Sequence, residues 1–300
     1  MTKTTKWVLA GIGTVFVLFA LFWAAVLFFI FQGDNQEEYS SGTGGTLAIV
    51  ELKDEILSSE NIVRQFKKYR ENSSVKGIVF RIESPGGGVS ASQEIYEEVK
   101  KTRDEGKPVV VSMGSVAASG GYYVSCGASK IVANPGTVTG SIGVISQFMN
   151  FNQLMGKVGV GSTTIKSGKF KDVGSPYREM TDEEKKYFQE TIDDVYLQFL
   201  SVVEKERKLS PDAAKKLADG RIFTGKKAYE VGLVDTLGTY EDAISLAAHL
   251  AKISGTPKII KERKKERLSD ILFGSLTQEI VGLKQEFLSQ PMLQYKLTQP

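Results

Sequence analysis

One stretch of this 300-residue sequence places a hydroxyl where a nucleophile belongs: Gly114-Ser115-Val116-Ala117-Ala118-Ser119-Gly120-Gly121-Tyr122-Tyr123. Ahead of it, Pro108–Met113 is short, apolar and rich in Val, and reads as a buried strand. Behind it, Val124–Ala128 turns as a helix. A strand, then small residues, then a helix start presents a side chain at a sheet edge. Ser119 is that side chain, and Gly120 and Gly121 leave room for close approach. Quiet turns of the same composition also exist, so Ser119 acquires a role only through its partners.

A serine hydroxyl is a weak nucleophile until a base takes its proton. The single histidine, His249, lies inside the helical run Ala243–Ala251 with no loop to aim its ring, and reads as a surface or core residue. The base is then a lysine. A lysine base must be neutral, which requires a pKa well below ~10.4, and burial in an apolar pocket lowers it by penalising the ammonium form. Lys100-Lys101 and Lys185-Lys186 sit on charged helix faces. Lys171 differs: it lies between Phe170 and Val173 in a loop bounded by Gly168 and Gly174, with Lys166 and Lys169 as rivals. Backbone N–H groups of Gly86 or Gly87, and of Gly120, supply donors for an oxyanion. The run Gly86-Gly87-Gly88 has neither a G-x-G-x-x-G pattern nor a following Lys-Ser/Thr, so a phosphate cradle is poorly supported.

The elements that hold these groups alternate. Strands are expected at Thr46–Leu52, Val75–Ile82, Val109–Met113, Lys130–Ala133, Ser141–Ile145 and Ser162–Lys166. Helices are expected after Ser59, after Ser90 or Ser92, over Phe151–Val158, from the capping box Thr181-Asp182-Glu183-Glu184 to about Lys208, from Ser210-Pro211, and from Thr239 to Gly255. Proline and three glycines make Glu83–Gly88 an irregular loop. The alternation implies an α/β domain with a mainly parallel sheet covered on both faces. Net charge is +3 with Lys and Arg interleaved among Glu and Asp, which leaves no nucleic-acid footprint. One cysteine, Cys126, excludes an internal disulfide framework and a Cys-based zinc site, and reads as a buried structural thiol.

Trp7–Phe31 carries no charge and exceeds the ~20 residues that cross a hydrocarbon core as a helix. Lys3 and Lys6 precede it, while Asp34, Glu37 and Glu38 follow, so the N-terminus stays cytoplasmic and the rest crosses. The expected organisation is a cytoplasmic stub and transmembrane anchor over 1–32, a linker over 33–45, the α/β domain over 46–257, and a basic segment with a polar tail over 258–300. The tail reads as solvated, yet is long enough to reach a neighbour or an active site, which trimming would test.

Four motifs in order, with the anchor, carry a resemblance. Ser84-Pro85-Gly86-Gly87-Gly88, Ala117–Tyr123, Thr139-Gly140-Ser141-Ile142-Gly143-Val144, and Asp219–Gly225 followed by Gly232-Leu233-Val234-Asp235 resemble the signal peptide peptidase A family of bacterial membrane serine proteases, in its short single-copy form. The resemblance spans about Thr46 to Ala251. It implies the Clp protease/crotonase-like fold and a Ser/Lys dyad, with Ser119 as nucleophile, Lys171 as general base, Ser141 orienting Lys171, and Gly86 and Gly120 as oxyanion donors. It implies remnant signal peptides and other unfolded polypeptides as substrates, a ring-like homo-octamer with Ser and Lys meeting across a subunit boundary, and no cofactor or metal. The expected location is the bacterial cell membrane, single-pass, with the catalytic domain extracytoplasmic.

Two other classes stay in view. A crotonase-like enzyme would use the same glycine donors on an acyl-CoA, but needs a cytoplasmic domain. A non-catalytic membrane scaffold of the same fold would have no use for Ser119, Lys171 and Ser141 together.

Overall fold

The computed structural model describes residues 3–31, 36–40, 42–263 and 293–297. Two compact units divide the chain, residues 1–38 with 261–289 and residues 39–260 with 290–300. In the first, α1 (Lys3–Phe31) is one continuous helix of 29 residues, with Ile12, Phe16, Phe19 and Phe22 exposed. Among the described residues no helix is long and apolar enough to cross a membrane. β1 (Gln36–Tyr39) follows it.

The second unit carries every candidate site residue. Its elements run β2 (Thr46–Lys53), α2 (Glu60–Glu71), β3 (Val75–Ser84), β4 (Gly86–Gly88), α3 (Val89–Asp104), β5 (Val109–Ala118), α4 (Gly120–Ser125), β6 (Lys130–Ala133) and β7 (Val138–Gly140). They continue as α5 (Asn152–Lys157), α6 (Asp182–Arg207), α7 (Pro211–Leu217), β8 (Ile222–Thr224), α8 (Gly225–Glu230), β9 (Thr236–Leu237) and α9 (Tyr240–Leu250). β10 (Lys258–Arg263) crosses the boundary between the units, and β11 (Gln294–Lys296) closes the described chain.

The sheet order is β10-β2-β3-β5-β6-β9, with β7 also pairing β5. The pairs β2·β3, β3·β5, β5·β6, β5·β7 and β6·β9 are all parallel, which makes the fold the expected α/β class with a mainly parallel sheet. Strand side chains alternate between faces. Leu47, Ile49, Val79 and Val110 pack with Ala243 and Ala247 of α9 on one face. Ala48, Val50, Ile78, Phe80 and Val111 pack with Phe66, Tyr69, Ile95, Val99 and Phe199 on the other. The Thr181–Glu184 capping box opens α6, and Ser210 caps α7 ahead of Pro211.

Several local expectations change. Gly86–Gly88 is a strand, because Ile56 bridges to Gly87 on one edge and β11 pairs on the other. α3 starts directly at Val89, so neither Ser90 nor Ser92 caps it; the buried Ser92 hydroxyl instead donates back to the Gly88 carbonyl at 2.9 Å. The helix after Ser119 begins at Gly120 and ends at Ser125. The strand expected over Ser141–Ile145 lies earlier, at Val138–Gly140, because Gly140 (φ 77°) and Ser141 (φ 51°) break the extended backbone. Ser162–Lys166 lies on no strand. α9 stops at Leu250, and Lys252 turns left-handed at φ 54°.

Candidate active site

Ser119 sits where β5 turns into α4. Its backbone holds φ 52° and ψ −114°, a conformation that costs an L-residue of order 1–3 kcal/mol and persists only when its surroundings enforce it. They do: the Ser119 N–H donates to the Gly140 carbonyl at 2.7 Å, and the Tyr123 N–H donates to the Ser119 carbonyl at 2.8 Å. A side chain on such a strand-to-helix elbow is lifted clear of both elements. Ser119 is nonetheless almost fully buried.

Ser141 stands at the end of the paired strand β7, where Ala118 is in register with Gly140. It too is buried and left-handed, and its N–H donates to the Arg221 carbonyl at 2.9 Å. The fourth motif of the sequence thus contributes a backbone clamp beneath Ser141.

Gly86 and Gly120 meet beside Ser119. A Cβ on Gly86 would lie 2.7 Å from the Gly120 nitrogen and would collide with the Tyr295 carbonyl oxygen. A Cβ on Gly120 would lie 2.7 Å from Ser92 Oγ and 3.1 Å from the same Tyr295 oxygen. No side chain fits at either position. The Gly86 N–H donates to Ser84 Oγ at 3.2 Å, and Gly87 stands opposite Tyr295 in the ladder.

The Tyr295 carbonyl belongs to a feature that sequence reasoning did not place. β11, from the C-terminal tail, pairs antiparallel with β4, with Gln294 opposite Gly88 and Lys296 opposite Gly86. Leu297 N–H donates to the Pro85 carbonyl at 2.8 Å. On its other edge, Gln294 exchanges two backbone bonds with Ile145, at 3.0 and 3.1 Å. The segment is therefore held between two backbone edges, a binding mode that accepts any extended peptide. Its Tyr295 side chain is fully buried. The ring lies 5.1 Å from Tyr123, stacked, and 4.7 Å from Phe199, and its hydroxyl donates to the Val195 carbonyl at 3.2 Å. Burial raises the Tyr295 hydroxyl pKa, so it stays neutral. Burying a ring of this kind contributes about 2–3 kcal/mol.

The three candidate lysines separate. Lys166 pairs with Asp172, and Lys169 pairs with Glu183. Lys171 is exposed, and among the described residues its amine has no ion-pair or hydrogen-bond partner. Its loop is anchored on either side instead. Arg178 donates to Asp172 at 2.8 Å and to Glu184 at 2.8 and 2.5 Å, while Phe170 stacks on Tyr187 of α6 at 5.0 Å. Among the described residues no hydrogen bond joins Lys171 to Ser119 or Ser141. One chain thus holds Ser119, Ser141, Gly86 and Gly120 in neighbouring buried backbone and leaves Lys171 exposed.

Cys126 is a free, buried thiol whose pKa burial pushes up to about 12, as suits a structural residue. His249 is exposed in the last turn of α9. Among the described residues no group of three His, Cys, Asp or Glu side chains is placed to hold a metal ion.

The chain is similar to known proteins. The Enterococcus faecium protein carrying the signal peptide peptidase SppA name is 40% identical over 225 residues, 75% of this chain and 65% of its own length. A Synechocystis sp. protein carrying a protease name is 45% identical over 214 residues, 71% of this chain and 77% of its own. The chain thus spans about two thirds of the first of these relatives. A solved ClpP1 mutant from Listeria monocytogenes superposes with a TM-score of 0.45 and 18% identity, covering 65% of this chain and 93% of that one. The Clp protease profile matches residues 47–137, which include β2 to β6, Ser119 and both predicted oxyanion glycines. The profile of peptidase family S49 matches residues 101–254, from α3 through the Ser119 turn and the Lys171 loop to the end of α9, and the chain belongs to that family.

Proposed function

We propose that this chain is a membrane-anchored serine endopeptidase that cleaves remnant signal peptides and other unfolded polypeptides through a Ser/Lys dyad. One observation carries the reading: an extended segment lies paired beside Ser119 with its Tyr295 carbonyl oxygen against Gly86 and Gly120. A carbonyl beside both proposed oxyanion glycines supports attack by the neighbouring serine.

In the first half-reaction, neutral Lys171 takes the Ser119 hydroxyl proton as Oγ attacks the carbonyl carbon. Ser141 orients the Lys171 amine. The oxyanion is held by backbone N–H groups of the Gly86 turn and of Gly120, as preorganised dipoles in a site that excludes water. Collapse breaks the C–N bond, and the leaving amine takes the proton from Lys171. Water, deprotonated by the same lysine, then hydrolyses the acyl-enzyme.

Lys171 reaches this site from a second copy of the chain, in a homo-octamer. Its exposure supports this, as do exposed apolar side chains in the segment of chain before it: Met149, Leu154, Val158, Val160 and, at 97%, Ile165. Apolar surface on this scale marks a face that another protein covers. The anchor is supported by the charge-free run Trp7–Phe31 on the continuous helix α1. The flanking charges support a cytoplasmic N-terminus and an extracytoplasmic catalytic domain.

A serine-reactive phosphonate tests the reading. It should label Ser119 in the detergent-solubilised chain, and Ser119→Ala should abolish both labelling and peptide cleavage while leaving the melting temperature within a few degrees. Retained cleavage in Ser119→Ala sinks the assignment.

A further inference from the structure

β11 also reports on the residue that follows the buried Tyr295. Lys296 leaves the strand on the face opposite the aromatic pocket, and its Nζ lies 2.9 Å from Glu55 Oε2. Both side chains are about three quarters buried, at 23% and 24% relative exposure. Among the described residues Glu55 has no other hydrogen-bond partner: its second oxygen, Oε1, is buried and unbonded there. An unbonded buried carboxylate oxygen is costly in a fold unless something arrives to use it.

The backbone holds Glu55 there independently of the tail. Asp54 takes a left-handed turn at φ 61° just beyond β2, and its N–H donates to the Glu83 carbonyl at 3.0 Å. Ile56 then exchanges bonds with the β4 edge, donating to Gly86 and accepting from Gly88, each at 2.8 Å. Glu55 thus belongs to the outer side of the same three-residue strand that β11 pairs with.

We propose that Glu55 is a specificity-determining residue for the peptidase. It selects a Lys or Arg side chain immediately after the residue whose carbonyl faces Gly86 and Gly120. The favoured substrate is an extended peptide with an aromatic side chain in the Tyr123–Phe199 pocket, followed by a basic residue. A lysine uses one carboxylate oxygen. A guanidinium has a second donor for the unbonded Oε1. An acidic residue in the same place meets Glu55 as a like charge. This subsite rests on the peptidase reading, in that its register is taken from a segment bound as substrate would be.

The test uses the full-length protein in detergent and three peptides: Leu-Gln-Tyr-Lys-Leu and its Tyr-Ala and Tyr-Glu counterparts, flanked by a fluorophore and quencher. The intact chain should cleave the Tyr-Lys peptide with roughly tenfold higher kcat/KM than the Tyr-Ala peptide, the size expected of a partly buried charge-assisted pair. Tyr-Glu should be worst. Glu55→Gln should bring the ratio of Tyr-Lys to Tyr-Ala kcat/KM down to about one. Glu55→Lys should make Tyr-Glu better than Tyr-Lys. Because the tail competes equally with all three peptides, these ratios do not depend on its occupancy. Equal cleavage of Tyr-Lys and Tyr-Glu by the intact chain, or a preference that survives Glu55→Gln, overturns the proposal. If no peptide is cleaved, the peptidase reading fails. The subsite is then judged by binding of the labelled peptides alone: Glu55-dependent preference for Tyr-Lys upholds it, and uniform affinity removes it.

Discussion

Ser119 and Ser141 both hold a positive φ, 52° and 51°, at the ends of two strands paired in register. Neither is glycine, although glycine adopts this conformation at no steric cost. The hydroxyls are retained at the expense of backbone strain, which is the pattern of functional positions. Ser141→Gly should therefore stabilise the fold by about 1 kcal/mol, raising Tm by ~2–4 °C in a domain of this size. On the proposed role of Ser141 in orienting Lys171, it should also cut kcat at least ~tenfold. Calorimetry and peptide turnover together check this; a lower Tm in Ser141→Gly would mean that the hydroxyl, not the backbone, sets stability there.

In one chain Ser119 is buried and Lys171, its proposed base, is exposed, and among the described residues no hydrogen bond joins them. Ser119→Ala and Lys171→Ala should each be inactive alone. Mixed and reassembled, they should regain a measurable share of activity, since some boundaries then pair an intact serine with an intact lysine. Mixed oligomers without activity would place both groups of each dyad in a single chain.

Removing residues 293–300 should raise kcat/KM for short peptides several-fold, because β11 occupies the groove beside Ser119. The same change should lower Tm, since the burial of the Tyr295 ring is lost. Turnover that does not change on trimming would show that the segment does not compete with substrate.

Acid should loosen the Lys171 loop. Arg178 first, then Thr181, holds the Glu184 carboxyl down to about 2, from an ordinary 4.5. Arg178 and Lys166 hold Asp172 well below the usual carboxylate range. A folded-state pKa below the unfolded one adds stability that is complete above the unfolded value and is lost as pH falls through the folded one. Amide exchange over residues 167–180 should thus lose protection, beyond the intrinsic change in exchange rate, between about pH 4.5 and 2. Arg178→Ala should be unprotected at both ends of that window. Equal protection of the intact loop at both pH values would rule out the clamp.

Much of this was legible from local pattern. The Val-rich run before Ser119, the Thr181 capping box and the Ser210-Pro211 start follow from periodicity and short-range hydrogen bonding, and all three stand. The shortage of histidine directed attention to lysine, and the glycines at 86 and 120 stood out by their place at a strand end and directly after Ser119; the structure leaves no space for a Cβ at either. Glu83–Gly88 was misread for a reason of the same kind. Proline and glycine argue against a strand, but Ile56 and β11 supply partners on both edges, and pairing overrides propensity. Ser162–Lys166 has strand-like composition, yet no described strand pairs with it.

By itself, the sequence determined the alternation of strand and helix, the charge-free run Trp7–Phe31, and the few residues able to act as nucleophile, base and oxyanion donor. Those are matters of residue type and short spacing. Tertiary structure alone decided which distant residues share the site. Tyr295 and Glu55 carry no local signal, because their roles arise from the register of β11 on β4 and from the turn at Asp54. Tertiary structure also separated Lys171 from Lys166 and Lys169, since a carboxylate partner is a fact of position in space and not of neighbourhood along the chain.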